Sequence, residues 1–279
     1  MNVVFDPEEV LIMKQLKFAF LGVGNMASAI LGGLQQIVDD RDIYLFDRLP
    51  EALNKFSART YHRCASAAEA VAAADCIFFA VKPQNIPELL DELRLADVCH
   101  NKIIVSIAAG ISIKTFTDAF GDLPVIRTMP NTPMLIGQGV TALCRNAAVD
   151  DETFSAIREV FDTTGHTIVL DEPDMNKIIS VTSSSPAYIF LFIKSIYESG
   201  LAQGLAEEGL LEAVCHSVIG SAKLVLQSDK TPDELIAMVC SKKGTTEQAM
   251  HKLEEGRFAE IIHQAMLACT KRAEELGRT

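Results

Sequence analysis

The chain has 279 residues, 49% of them hydrophobic and 22% charged, with a formal net charge of −12. That length accommodates one large domain or two ordinary ones with a real core, and the acidic balance excludes a general nucleic-acid or anionic-membrane surface. Seven cysteines (64, 76, 99, 144, 215, 240, 269) are scattered without a C-x-x-C pair, which fits reduced thiols in a cytoplasmic protein, not a disulfide framework or a zinc site, and no metal centre is expected.

Residues 1–15, "MNVVFDPEEVLIMKQ", read as an N-terminal extension. They carry acids where a signal peptide needs a basic region, and their apolar run is short. A start at Met13 would leave a tidy strand behind it. "LKFAFLG" (16–22) is an apolar run ending at glycine, the pattern of a buried strand. "NMASAILGGLQQIV" has helical spacing, and "DIYLFD" is a second strand ending on an acid. "CIFFAVKP" is a strand stopped by Pro83. "KIIVSIAAG", "PVIRTMPNTP", "GVTALC" and "HTIVLD" are further strands, with helical segments between most of them. Strands alternating with helices predict a parallel sheet covered on both faces, over residues 16–170.

Beyond about residue 170 the strand signal disappears. "YIFLFIKSIYESGLAQGLAEEGLLEAVCHSVIGSAKLVLQ" reads as two long helices with a break near "EEGL". "PDELIAMV" and "TTEQAMHKLEEGRFAEIIHQAMLACTKRAEEL" complete an all-helical part over 171–279. The most apolar stretch, "PAYIFLFIKSI", contains Lys194 and falls short of the ~20 residues that a membrane span requires, so no membrane association is expected.

"LGVGNMA" places Gly22, Gly24 and Ala27 in G-x-G-x-x-A spacing, with a strand before and a helix after. That is the context in which such a loop binds a dinucleotide. The first glycine permits the tight turn and the second lets backbone approach a pyrophosphate. The small third residue lets the helix pack close, with the phosphates at the helix N-terminus. Asp47 follows about 20 residues on, at the end of the second strand. It suits a ribose 2′-hydroxyl and so NAD(H). The adjacent Arg48 suits a 2′-phosphate and so NADP(H). "AVKPQ" (80–84) and "SIAAG" (106–110) end the next two strands, where this fold borders its cofactor crevice. Lys82 there reads equally as a surface lysine or a cofactor contact, and Asn131 in "MPNTP" as a rigid turn or a site residue. Late in the chain, "SKKGTT" (241–246) is a small cationic turn feeding a helix, an arrangement suited to an anion. If Thr245 caps that helix, Gln248 completes a capping box and the amides of 244–246 face outward.

"FLGVGNMA" (20–27), "AVKPQ" (80–84), "VIRTMPNTP" (125–133), "SSSPAY" (183–188) and "CSKKGTTEQAM" (240–250), in this order, resemble the pyrroline-5-carboxylate reductase family. The likeness runs from residue 16 to the end. It implies an α/β Rossmann-type N-terminal domain followed by an all-α C-terminal domain that binds substrate and interlocks into a homodimer, with dimers building larger rings. It also implies hydride transfer from NADP(H) or NAD(H) to the C=N carbon of 1-pyrroline-5-carboxylate, yielding L-proline. On that resemblance, Gly22, Val23, Gly24, Asn25, Met26, Ala27, Asp47 and Arg48 hold the cofactor. Ala80, Val81, Lys82, Pro83, Ile107, Ala108 and Ala109 border it. Ser241 and Thr246 act at the reacting ring, and Glu172, Asp229, Gly244, Thr245 and Thr246 bind substrate.

Four departures stand out. The family usually has Ser-Pro-Gly-Gly at 241–244, where this chain has Ser-Lys-Lys-Gly. It usually has Gly-Ser-Gly at 183–185, where this chain has three serines, strained if those glycines take positive φ. Asp229 stands for a commoner glutamate, and Ala67 for a cofactor-binding asparagine. Three further readings follow: a reductase of a related cyclic imino acid, a 2-hydroxy-acid enzyme using Lys177, or a non-catalytic dinucleotide-binding paralogue.

Overall fold

The computed structural model describes Met13 and residues 15–277, so most of the expected 1–15 extension lies outside the described residues. Met13 itself is fully buried. Two compact units emerge. The first runs to Ser184 and takes back the chain from Cys269, and the second spans Ser185–Ala268.

The first unit is built on an eight-stranded sheet: β1 (Phe18–Leu21), β2 (Ile43–Phe46), β3 (His62–Arg63), β4 (Cys76–Phe79), β5 (Ile103–Ser106), β6 (Val125–Met129), β7 (Gly139–Arg145) and β8 (Gly165–Val169). Their order across the sheet is β3-β2-β1-β4-β5-β6-β7-β8. Side chains alternate between faces along each strand. Ala19, Leu21, Ile77 and Phe79 therefore enter one core and Phe18, Phe20, Cys76 and Phe78 the other. With both faces covered, the strands need apolar residues at every position, which is why "FAFL" and "CIFF" show no alternation. Phe20 stacks on Phe78 at 4.5 Å between ring centroids.

Helices α1 (Asn25–Leu34) and α5 (Asp151–Asp162) cover the second face. Helices α2 (Ala67–Ala73), α3 (Ile86–Ala96), α4 (Ile113–Phe120) and the short α6 (Met175–Ile178) cover the first. Caps fix their starts: Ser66 Oγ accepts from the Glu69 amide at 3.1 Å and Asp150 Oδ1 from the Thr153 amide at 2.6 Å.

The sheet departs from the expected parallel pattern at one place. β7 runs antiparallel to β6, although β8 is parallel to β7. Residues 130–138 that join β6 to β7 hold only the short turn Thr132–Ile136. That is too little chain for a parallel crossover, so the strand returns directly. The division between units also falls later than residue 170. Met175, Ile179 and Ser180 are buried on the sheet unit, and Ala273 near the chain's end packs there as well.

The second unit is helical: α7 (Ser185–Ala202), α8 (Leu210–Gln227), α9 (Pro232–Val239), α10 (Thr245–Glu255) and the first part of α11 (Phe258–Leu276). The chain from "TTEQ" onward makes two helices. It breaks at Gly256 and Arg257, the latter with φ +55. Two helical runs, Glu172–Ala202 and Leu210–Gln227, are long and apolar enough to cross a membrane by length and composition. This differs from the sequence expectation because the helix continues through Lys194, which pairs with Glu198 one turn on at 3.7 Å. Ile189, Phe190, Leu191 and Phe192 of α7 and Leu211, Ile219 and Leu224 of α8 stand exposed in the single chain.

Candidate active site

The cofactor residues expected from the sequence converge at the carboxyl ends of β1, β2 and β4, where the strand order reverses direction and a crevice must open. A cleft of about 650 Å³ lies there, lined by Gly22, Gly24, Asp47, Arg48, Ala80 and Lys82 among others. Gly22 has φ +90, and a Cβ on it would stand 2.9 Å from the Ala80 carbonyl oxygen. Only glycine passes there. Gly24 is the N-cap of α1 and makes no side-chain cap; a Cβ there would meet nothing within 4 Å and would point into open space. The first-turn amides of α1, from Asn25, Met26 and Ala27, thus begin a helix with no acid in its first turn. Such a terminus favours an anion. Room beside Gly24, an uncapped helix end and nearby cationic groups together fit a dinucleotide pyrophosphate.

Asp47 does more than face the cleft. Its Oδ2 accepts from the Val23 amide at 2.9 Å and its Oδ1 from the Leu49 amide at 3.0 Å. It therefore ties the glycine loop to the end of β2. Lys55, absent from the sequence expectations, reaches the same loop. Its Nζ donates to the Val23 carbonyl and, at 3.4 Å, to that of Gly24. Partial burial lowers its pKa, and Asp47 offsets part of that. A lysine eight positions after the acid carries no signal until the fold brings it back to the loop. Pro83 opens the short turn Pro83–Asn85 that Lys82 precedes. Ile107 donates to the Phe79 carbonyl at 3.2 Å, while Ala108 is buried and Ala109 is partly buried at the end of β5. Ala67 is fully buried as the first residue of α2.

Glu172, expected on the substrate side, is engaged within the first unit. Its Oε1 accepts from the Ile113 amide at 2.6 Å and lies 3.6 Å from Nη1 of Arg127. Arg127 is 4% exposed on β6 and donates through Nη2 to Asn176 Oδ1 at 2.6 Å. Burial disfavours its charge, and Glu172 restores part of the balance. Asn131 is also structural: it donates to the Thr182 carbonyl at 2.9 Å and accepts from the Val140 amide at 2.8 Å. It ties the "PNTP" turn to the π-helical segment Ile179–Ser183. That segment holds Ser183, and Ser184 follows with φ −94. The serine run is right-handed throughout, so the strain expected of it does not arise.

In the second unit, the helix cap differs from the sequence reading. The N-cap of α10 is Gly244, with no side-chain cap, and Thr245 is the first helical residue. The expected Thr245–Gln248 box is replaced by Glu247, whose Oε2 accepts from the Lys243 amide at 2.7 Å. The Gly244 amide donates to the Ser241 carbonyl at 2.9 Å, closing the turn. The amides of Thr245 and Thr246 remain without an intrahelical acceptor, as first-turn amides must. A Cβ on Gly244 would lie 2.4 Å from Ser241 Oγ. Lys243 has φ +60, a left-handed conformation in which the family's glycine is at ease and a lysine is not. Asp229 sits exposed in the turn after α8.

The four buried thiols, Cys64, Cys76, Cys99 and Cys144, are held protonated: burial pushes Cys64 and Cys99 up to about 11 and Cys144 up to about 12. Among the described residues no group of three or more His, Cys, Asp or Glu side chains is placed to hold a metal ion.

Comparison with known proteins places this arrangement. Residues 172–276 match the family model for pyrroline-5-carboxylate reductase dimerisation, and residues 17–110 match that for NADP oxidoreductase, coenzyme F420-dependent. The chain is 35% identical to the pyrroline-5-carboxylate reductase of Escherichia coli K12, covering 94% of this chain and 99% of that protein. It is 30% identical to the Arabidopsis thaliana enzyme, covering 95% and 97%. Among solved structures, the Plasmodium falciparum pyrroline carboxylate reductase with NADP bound superposes with a TM-score of 0.87 at 26% identity, covering 95% of this chain and 99% of that one. The Streptococcus pyogenes enzyme gives 0.86 at 30%, covering 93% and 98%. The fold and the cleft define a Rossmann-type, nicotinamide-dependent oxidoreductase that carries a helical dimerisation segment. Relatives of one name extend along nearly its whole length. The chain belongs to the pyrroline-5-carboxylate reductase family.

Proposed function

We propose that this chain reduces 1-pyrroline-5-carboxylate to L-proline with NADPH or NADH, as a cytoplasmic homodimer that further assembles into a ring of dimers. The observation that carries the reading is the open glycine loop at the switch point, in a chain that belongs to this family over nearly all its length. The sheet unit, residues 16–184 with the returning chain from 269, serves as the dinucleotide-binding domain, and the helices of residues 185–268 as the substrate-binding and dimerisation domain. Pairing with a second copy gives the exposed apolar faces of α7 and α8 something to cover them. The reduced nicotinamide, when bound, supplies the hydride.

The protein's own task is orientation. A cyclic imine can arrive already protonated, and it is then a good acceptor without a strong enzymic acid. Gly22 through Ala27 hold the pyrophosphate, with Asp47 and Arg48 at the adenosine ribose. Lys82, Pro83 and the 107–109 loop border the cofactor. The turn from Ser241 to Thr246 takes the substrate carboxylate on the amides of Thr245 and Thr246, with the Thr246 hydroxyl toward the ring nitrogen. Asp229 belongs to the same substrate end. Glu172 supports the 107–113 segment through Ile113, and so acts on substrate binding indirectly. The serine run that motivated a non-catalytic paralogue is unstrained, and this supports an active enzyme.

The test is oxidation of NADPH or NADH on addition of pyrroline-5-carboxylate; absence of turnover with both would sink the reading. Two variants probe the ends of the site. Gly244→Ala pushes a methyl against Ser241 Oγ and opens the turn. It is expected to raise KM for the imino acid on the order of tenfold or more while cofactor Kd stays unchanged. A matching rise in cofactor Kd would remove the turn from a substrate-only role. Asp47→Ser removes a negative charge beside the 2′-position. It is expected to shift the ratio of NADPH to NADH affinity toward NADPH by roughly fivefold, the ~1 kcal/mol of a like-charge contact in water. An unchanged ratio by titration calorimetry would free Asp47 of that role.

A further inference from the structure

The sequence weighs Asp47 against Arg48 as the two residues that decide between the cofactors. The structure adds a third. Arg48 does not project freely into the cleft. Its Nη1 lies 2.7 Å from Oε2 of Glu88, in the first turn of α3 across the cleft mouth. Both residues line the same cleft as Gly24 and Asp47, and Glu92, one turn further along α3, lines it as well. Asp47 is meanwhile occupied by two backbone amides, of Val23 and Leu49. Its geometry is set by the loop it holds. The acid that decides whether the Arg48 guanidinium is available to a ligand is therefore Glu88.

We propose that Glu88 is a specificity-determining residue, which competes with a ribose 2′-phosphate for Arg48 and so weakens NADPH relative to NADH. The chemistry is direct exchange. A 2′-phosphate is well met by a guanidinium, in the paired geometry that arginine offers to phosphate oxygens. To recruit Arg48 it must displace the Glu88 carboxylate, and the freed carboxylate then stands as a second negative charge near the phosphate. A 2′-hydroxyl makes no such demand, and Asp47 serves it without disturbing the pair. Both partners are more than half exposed, with side chains at 56% and 74%. The pair is therefore worth only about 0–1 kcal/mol, and the discrimination it sets is up to roughly fivefold, not absolute.

The inference rests on the proposed dinucleotide role of the cleft, and its test is chosen to separate the two. Calorimetric titration of the intact protein with adenosine 2′,5′-bisphosphate and with AMP reads the 2′-phosphate alone, without turnover. Glu88→Gln, which keeps the side chain's length, is expected to tighten the bisphosphate by roughly fivefold and to leave AMP unchanged. In an Arg48→Gln background the same change is expected to have little effect, because the contested group is gone; this cycle isolates the pair. The gain is also expected to shrink as salt is raised, as for any exposed pair. Equal tightening of both nucleotides, no tightening of either, or a gain that persists without Arg48 would each overturn the role of Glu88. In the last three cases AMP binding by the unmodified protein leaves the dinucleotide reading intact. Failure of the unmodified protein to bind either nucleotide would overturn both.

Discussion

Gly24→Ala is expected to leave the fold intact and to weaken NADPH and NADH binding together by on the order of 100-fold. The two glycines of the loop separate the two consequences of adding one carbon. At Gly24 the backbone has φ −64 and ψ −170, a conformation open to alanine, and a new methyl meets no protein atom within 4 Å. The melting temperature should therefore move by little, within about 0.5 kcal/mol of stability. The methyl projects into the space that lets a pyrophosphate approach the amides of α1, so the whole effect falls on the ligand. At Gly22 the same carbon faces the Ala80 carbonyl at 2.9 Å and the Val81 side chain at 3.0 Å, on a backbone at φ +90. Gly22→Ala must then shift β1 against β4, and the Val23 amide moves off Asp47. Loss of binding is expected in both variants, with loss of stability only in Gly22→Ala. Thermal melts beside binding isotherms check the pair. A Gly24→Ala protein that binds normally would remove the loop from cofactor recognition.

The second large effect concerns Glu172. Glu172→Ala is expected to cost about 3 kcal/mol, near the low end for breaking a buried ion pair, and to lower the melting temperature by roughly 6–12 °C. The cause is asymmetry of burial. Arg127 is 4% exposed and Glu172 34%. Among the described residues, removing the carboxylate leaves a guanidinium inside the sheet with Asn176 as its remaining side-chain partner, and it frees the Ile113 amide as well. Arg127→Met leaves a carboxylate that still reaches solvent and still caps Ile113, so it is expected to cost less. Equal losses, or a larger loss from Arg127→Met, would show that the pair is not limited by the buried charge. Melting in the absence of every ligand is the relevant readout. A role of Glu172 confined to substrate contact predicts no change there.

Much of the first unit was legible because its chemistry leaves few alternatives. A short apolar run closed by glycine or proline, as in "FAFLG" and "CIFFAVKP", reads as a strand buried on both faces, and a tight strand-to-helix turn needs glycine at position 22. β3 was not legible, since it is only two exposed residues, His62 and Arg63, with no apolar run to mark them; the His62 ring stacks on Tyr44 of β2 at 4.6 Å. The antiparallel β7 was legible only in the shortness of the 130–138 connection. Arg127 gave a signal that went unused: an arginine inside "VIRTM" is buried with the strand and calls for a carboxylate. Its partner lies far along the chain, and only the fold identifies Glu172. The same holds for Lys55, which reaches the glycine loop from the short 3₁₀ helix Pro50–Phe56, and for Glu88, which lines the cleft from the first turn of α3. The turn at 241–246 was found correctly as a helix start, but the cap fell one residue early, because Gly244 leaves its first turn to Glu247 instead of Gln248. The split of the last helical stretch at Arg257 had no sequence mark stronger than Gly256.

Hydride transfer from a reduced nicotinamide to the imine carbon of a cyclic imino acid leaves an isotopic record in the product. The measurement that tests it most directly uses reduced cofactor deuterated at the transferring position, incubated with the purified protein and pyrroline-5-carboxylate, with the product read by mass spectrometry and NMR. The expected result is L-proline carrying one deuterium at the former imine carbon, formed in step with cofactor oxidation. Cofactor oxidation without labelled proline, or no oxidation with either NADPH or NADH, would contradict it.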